Sequence, residues 1–92
     1  MIDFEQHKNI LDDFVEQYHP LAHSLMIDSY KDPSAYYSNF QILMREMNEL
    51  PEHPEYFLEW LIEDDPALYI NMMELIVIVR TIQNVFEQVS SD

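Results

Sequence analysis

Hydrophobic positions along this chain recur with the three- and four-residue spacing of α-helices. The longest stripe, spaced 4-3-4-3-4-3, lies near the end of the sequence: Leu68, Met72, Leu75, Val79, Ile82, Phe86 and Val89. This spacing continues on both sides of the β-branched run 75–79, so we predict a helix there instead of a buried strand. A second stripe, spaced 4-3-4-3 from Tyr36 to Leu50, predicts another helix.

Prolines that follow polar residues mark where helices are predicted to begin. There are four such pairs: His19-Pro20, Asp32-Pro33, His53-Pro54 and Asp65-Pro66. Proline suits the first helical position, and an aspartate before it accepts a hydrogen bond from the first-turn amides. The two Asp-Pro pairs therefore predict helix starts strongly, and the two His-Pro pairs predict them more weakly. At the beginning of the chain, Asp3 followed by Gln6 resembles a capping box.

The pattern as a whole predicts one all-α domain spanning residues 1–92, a compact bundle of about five helices. The predicted helices are 3–18, 20–31, 33–49, 54–64 and 66–89. Because the connections are short, neighbouring helices are expected to pack antiparallel. The last helix is apolar on nearly every side, so it is expected either to be central or to meet a second copy of the chain, as a homodimer. Its spare face would be Ile70, Val77, Ile78 and Val85.

Composition changes this picture mainly through charge. Eighteen acidic residues face four basic ones among 92 residues, a formal charge of −14. Such a chain repels nucleic acid and anionic membranes and attracts basic proteins. The N-terminus has no signal-peptide pattern and no apolar run is long enough to span a bilayer, so we expect a cytoplasmic protein. The absence of glycine argues against phosphate-binding loops and tight hairpins, and the absence of cysteine excludes disulfides and thiolate metal sites.

Two groups of polar residues contain side chains of the types that metal binding or acid–base catalysis requires. Asp12, Glu16, His19 and His23 would share one face of an unbroken helix, but Pro20 is expected to interrupt it and no HExxH pattern accompanies it. The acid run 63–65 is explained more simply by helix ends and capping. We therefore predict no catalytic residue, no metal site, no cofactor and no enzymatic activity.

The stretch 51–69 has the most concentrated acidity. Glu55, Glu59 and Glu63 recur every fourth residue, which places them on one side of a helix, and no basic residue lies between 46 and 80. Tyr56 and Trp60 are expected to flank them. The core face of this helix is predicted as Phe57, Leu58, Leu61 and Ile62. The predicted partner-binding residues are Glu52, Glu55, Tyr56, Glu59, Trp60, Glu63, Asp64 and Asp65.

This surface allows two interpretations, a solvated helix face or a docking surface for a basic protein. In its general character, the chain resembles bacterial toxin-immunity proteins of the colicin-DNase and contact-dependent growth inhibition types, and Glu52-His53-Pro54 is similar to an EHP tripeptide of the colicin group. The Tyr-Tyr-Pro that follows the tripeptide there is missing, and Tyr36-Tyr37 precedes it here. The resemblance therefore assigns no binding residue. It implies an inhibitor that binds and neutralises a basic nuclease-like toxin domain.

Two other functions remain open from the sequence. Carboxylates at helical spacing can imitate phosphates, as expected of a nucleic-acid mimic such as an anti-restriction or anti-CRISPR protein. The acids are concentrated in 3–16 and 46–65, which favours a local patch unless folding brings the clusters together. The apolar excess of the last helix favours a helical adaptor or dimerisation protein instead.

Overall fold

The computed structural model describes residues 3–90, with side chains as far as residue 88, and these residues form four α-helices. The helices are α1 (Phe4–Lys31), α2 (Pro33–Asn48), α3 (Phe57–Asp64) and α4 (Pro66–Ser90). There is no strand in the described part of the chain, which confirms the predicted all-α class. The run 75–79 lies within α4, as the unbroken spacing predicts.

Aspartate side chains cap the starts of three helices, as the sequence predicts. Their carboxylates accept hydrogen bonds from backbone N–H groups: Asp3 from Gln6 at 3.1 Å, Asp32 from Ala35 at 3.3 Å, and Asp65 from Leu68 at 3.1 Å. Each bond satisfies one of the amides that have no partner within the helix.

The prediction of separate helices at 3–18 and 20–31 is wrong, because α1 continues through Pro20. A proline in a helix interior costs about 3 kcal/mol relative to alanine. The inward positions nevertheless continue across it as 11, 15, 18, 22, 25 and 29, spaced 4-3-4-3-4, and Ala22 and Ser29 are fully buried. Because these two residues are small, large apolar residues alone did not reveal the continuous stripe. Burial of one face on both sides of Pro20 offsets the cost.

The predicted helix 54–64 begins three residues later, at Phe57. The backbone N–H of Phe57 donates to the carbonyl oxygen of Pro54 at 3.0 Å, and this bond closes a turn before the helix. Tyr56, within this turn, has a left-handed backbone with φ of 64°. That conformation is unfavourable for a residue with a Cβ, and this chain has no glycine to take it. The His-Pro pair therefore starts a turn and not a helix.

The helices α1, α2 and α4 lie along a molecule that measures 48 × 21 × 20 Å. Lys8, near the start of α1, lies 3.8 Å from Asp65, just before α4, so these two helices run in the same direction. Tyr37, near the start of α2, packs against Phe86, near the end of α4, so α2 runs opposite to both. The antiparallel arrangement predicted for neighbours holds for α1 and α2. The short helix α3 lies at the end of the molecule where α1 and α4 begin.

The helix α4 contacts all three other helices, which supports its predicted central place. It is not covered on every side, however. Ile78 and Val85, predicted to belong to the spare face, are buried. Among its described side chains, three large apolar residues are outward: Ile70, Met73 and Val77. The side chain of Val89, the last position of the predicted stripe, lies outside the described residues.

Candidate protein-binding surface

The acidic stretch found in the sequence forms one end of the molecule, made of α3 and the segment 49–56; we call it the acidic end. Phe57 and Leu61 are fully buried and fix which side of α3 faces inward. Leu58 and Ile62, predicted to belong to the core, are exposed by 36% and 46%. That prediction is wrong because Trp60, and not Leu58 or Ile62, completes the inward face.

The carboxylates of the acidic end come from different kinds of structure. Glu59 and Glu63 are exposed one turn apart on α3, whereas Glu52 and Glu55 are exposed in the segment before it. Glu55 therefore does not continue a helical row, and the predicted row of three is a pair. The structure places these acids at the same end of the molecule without the regular spacing that the sequence implied.

The last two acids of the predicted surface lie at the junction of α3 and α4. Asp64 is exposed, whereas Asp65 is half-buried and its carboxylate caps α4. The capping role leaves Asp65 less available to a partner than the acids of α3.

The two aromatic residues of the predicted surface have different roles. Tyr56 is 67% exposed and precedes α3. Trp60 is half-buried, and its ring centroid lies 5.3 Å from that of Phe4 and 5.8 Å from that of Phe57. Trp60 therefore holds α3 against α1, and Tyr56 is the aromatic side chain displayed to solvent.

Folding brings a base to the acidic end that the sequence did not place there. The Lys8 Nζ lies 2.9 Å from Asp64 and 3.8 Å from Asp65. The hydrogen bond to Asp64 raises the pKa of Lys8, and the negative charges of Asp64, Asp65 and Glu5 act in the same direction, against some desolvation. The exposed acids earlier in α3 have no ion pair within the described part of the chain.

A pair of histidines joins the segment 49–56 to α1. The His7 Nε2 lies 3.0 Å from the His53 Nδ1, and only 8% of His7 is exposed. Both rings pack on Phe57, at centroid distances of 4.4 Å for His7 and 5.5 Å for His53. Burial lowers the pKa of His7, and the proximity of His53 lowers it further. His53 is exposed, and partial desolvation of its ring lowers its pKa. Sequence reasoning missed this pair, although His7 falls on the α1 stripe four residues before Leu11.

Because α1 is continuous, Asp12, Glu16 and His19 lie on neighbouring turns, beside Asn71 of α4. Among residues 3–90 there is nevertheless no group of three or more histidine, aspartate or glutamate side chains that could hold a metal ion. His19 instead reaches across to α4, where its Nε2 lies 3.1 Å from the Oε1 of Glu74.

Comparison with family models, curated proteins and solved structures found no match to this chain. Within the part that the structure describes, none of the helices combines the length and apolar character needed to cross a membrane.

Proposed function

We propose that this chain is a non-enzymatic inhibitor that binds and neutralises a basic, nuclease-like toxin domain, as an immunity protein does. One observation supports this most: α3 exposes apolar and acidic side chains together. Leu58 and Ile62 are outward beside Glu59 and Glu63, with Tyr56 at the start of the helix. Adjacent exposed apolar residues bordered by polar ones are typical of protein-binding surfaces.

The two kinds of side chain have different physical effects on binding. Carboxylates speed the encounter with a positively charged partner and fix its orientation, and their effect weakens as salt rises. Desolvated apolar and aromatic side chains supply most of the affinity at the centre of an interface. The expected partner therefore has an apolar pocket bordered by lysine and arginine side chains, as at the edge of a cationic nuclease cleft.

The test is capture of a partner from host lysate with the tagged chain, followed by a nuclease assay on the purified pair. A single basic protein that hydrolyses nucleic acid alone, and loses that activity in the stoichiometric complex, would support the proposal. Ile62→Ala is expected to weaken binding by about tenfold or more, because it removes a central apolar contact. Glu59→Lys is expected to slow association most strongly at low salt.

A matched variant on α1 separates this surface from general acidity. Glu16→Lys makes the same charge change as Glu59→Lys on an exposed helical position away from α3. Equal losses from both charge reversals would contradict a local binding surface. If the captured protein has no nuclease activity, the acidic end remains a binding surface, but the assignment as a nuclease inhibitor is wrong.

A nucleic-acid mimic is the second candidate, and one contact favours it. Lys8 joins α1 to the end of α3, so the two acidic clusters of the sequence lie side by side. The acidic surface then continues through Asp12 and Glu16 on α1 to Glu74 on α4. A mimic is expected to lose affinity gradually with each charge reversal along this line, and nucleic acid should compete with it for the partner.

A helical adaptor or homodimer is the third candidate, favoured by the outward apolar face of α4. Ile70 and Val77 are each 59% exposed there, with Met73 between them. If this face joins two copies, Val77→Glu should convert a dimer to a monomer in sedimentation experiments without changing helicity. A wild-type chain that sediments as a monomer at high concentration would contradict this candidate.

A further inference from the structure

We propose that His7 and His53 form a proton-operated latch, which holds the segment 49–56 against α1 and opens when both rings are protonated. The latch belongs to the free protein and does not depend on the identity of a partner. Within the described residues, the segment has no regular structure of its own, and this side-chain hydrogen bond ties it to a helix 46 residues away in sequence.

The chemistry of the bond makes it sensitive to protons. A hydrogen bond between two imidazole nitrogens 3.0 Å apart requires an N–H on one and a lone pair on the other. A neutral pair provides both, and so does a pair that has gained a single proton. When both rings are protonated, each facing nitrogen carries a hydrogen, the acceptor is lost, and two positive charges adjoin. The second proton is therefore the one that opens the latch.

The surroundings favour the uncharged pair. His7 is nearly enclosed, whereas His53 is exposed, and both rings pack on Phe57 of α3. On α1, the neighbouring Lys8 is directed to Asp64, and its positive charge does not assist protonation. Glu52 and Glu55 flank His53 in the segment itself, but both are exposed and neither accepts a hydrogen bond from the two rings. The α4 residues beside the segment are apolar: Met72, Leu75 and Ile76.

Opening the latch has a structural consequence beyond the two rings. Residues 50–53 form one wall of an apolar cleft of about 360 Å³, whose other walls come from α1, α2 and α4. The opposite wall includes Leu11, Phe14 and Val15. Release of the segment would expose this lining to water and loosen the turn that precedes α3. The latch therefore couples protonation to the order of the acidic end.

The test combines histidine titration by NMR with amide hydrogen exchange on the full chain. His7 and His53 are expected to titrate in two steps, both below the ordinary histidine pKa of 6.5. The reporting amides are those of Phe57 and Trp60, which donate to Pro54 and to Tyr56. Their protection factors should fall by about tenfold between about pH 7 and about pH 5, the factor that one hydrogen bond supplies. Amides in the middle of α4 should keep their protection.

Three variants decide between the latch and general acid sensitivity. His53→Phe preserves ring packing on Phe57 but removes the bond, so low protection at both pH values is expected. His53→Gln keeps an acceptor that does not titrate, so high protection at both is expected. In His23→Phe, the matched control, amide protection should fall with pH as it does in the wild type. Unchanged wild-type protection at pH 5, or an unaltered pH response in both His53 variants, would overturn the proposal.

Discussion

The long packing surface between α1 and α4 and the acidic end of the molecule are built differently. Along α1 and α4, inward positions spaced 4-3-4-3 are buried over most of the molecule's length, and the small residues Ala22 and Ser29 of α1 are fully buried. The acidic end depends on an eight-residue helix with two fully buried side chains, Phe57 and Leu61. Rings contributed by α1 and by the segment 49–56 complete its packing.

The difference shows that, in this small domain, the region that stabilises the fold is separate from the surface proposed for binding. The α1–α4 surface stabilises the fold through many equivalent contacts, so no single one decides its position. The acidic end has few contacts, and its position depends on individual side chains around Phe57. Regions with few buried contacts open locally at lower free energy than the core. The surface proposed for binding is therefore also the region expected to respond first to mutation and to pH.

The largest expected effect is that of Phe57→Ala, which removes the ring at the centre of the cluster at the acidic end. Loss of a fully buried phenylalanine costs about 3–5 kcal/mol in the free energy of unfolding. Urea unfolding followed by circular dichroism measures it. Ile82 is a fully buried position on α4, and in Ile82→Ala all helices should unfold together. In Phe57→Ala, by contrast, the acidic end should unfold before the rest of the molecule. A single shared transition in both variants would remove the distinction between the two regions.

Unlike Phe57→Ala, Pro20→Ala is expected to stabilise the protein, by about 1–3 kcal/mol in the free energy of unfolding. The substitution restores a backbone N–H donor and removes a ring that fits poorly within α1. Thermal and urea unfolding measure the gain. Leu21→Ala, at an exposed neighbouring position, is the control for helix propensity alone and should change stability much less. A destabilised Pro20→Ala protein would indicate that the proline ring itself contributes to packing.

Lowering the pH is expected to reduce stability through His7 and His53. Both have a pKa lowered from 6.5 in the folded chain, so the unfolded chain binds more protons below that value. Their stabilising contribution is complete above about pH 6.5 and declines as the pH falls through the lower folded-state values. Urea unfolding at several pH values measures the slope. His53→Phe should flatten this slope, and an identical slope in the variant would assign the effect to other groups.

The smallest expected effect on stability is that of Lys8→Met, which removes the cation that faces Asp64 and Asp65. Exposed ion pairs contribute little to stability and are screened by salt. The substitution should nevertheless make the acidic end more negative and speed association with a basic partner at low salt. Stopped-flow binding measures this change. A slower association would mean that Lys8 itself contacts the partner.

Several features could be read from the sequence because they depend on neighbouring residues. The three aspartate caps, the helical nature of the run 75–79 and the concentration of acids near α3 all follow from local spacing and charge. The partner-binding residues predicted from that spacing gather at one end of the molecule, but their orientation was predicted only in part. Leu58 and Ile62 are as apolar as Leu61, so composition alone does not distinguish inward from outward positions on so short a helix.

Tertiary structure decided the features that depend on residues distant in sequence. Packing against α4 and α2 keeps α1 helical through Pro20, because the same face is buried before and after the proline. The pairing of His7 with His53, and of Lys8 with Asp64, joins positions 46 and 56 residues apart. Local spacing determined where helices form and where charge accumulates, because both depend on adjacent residues. Only the packed chain determined which side chains meet, because burial is a property of several helices at once.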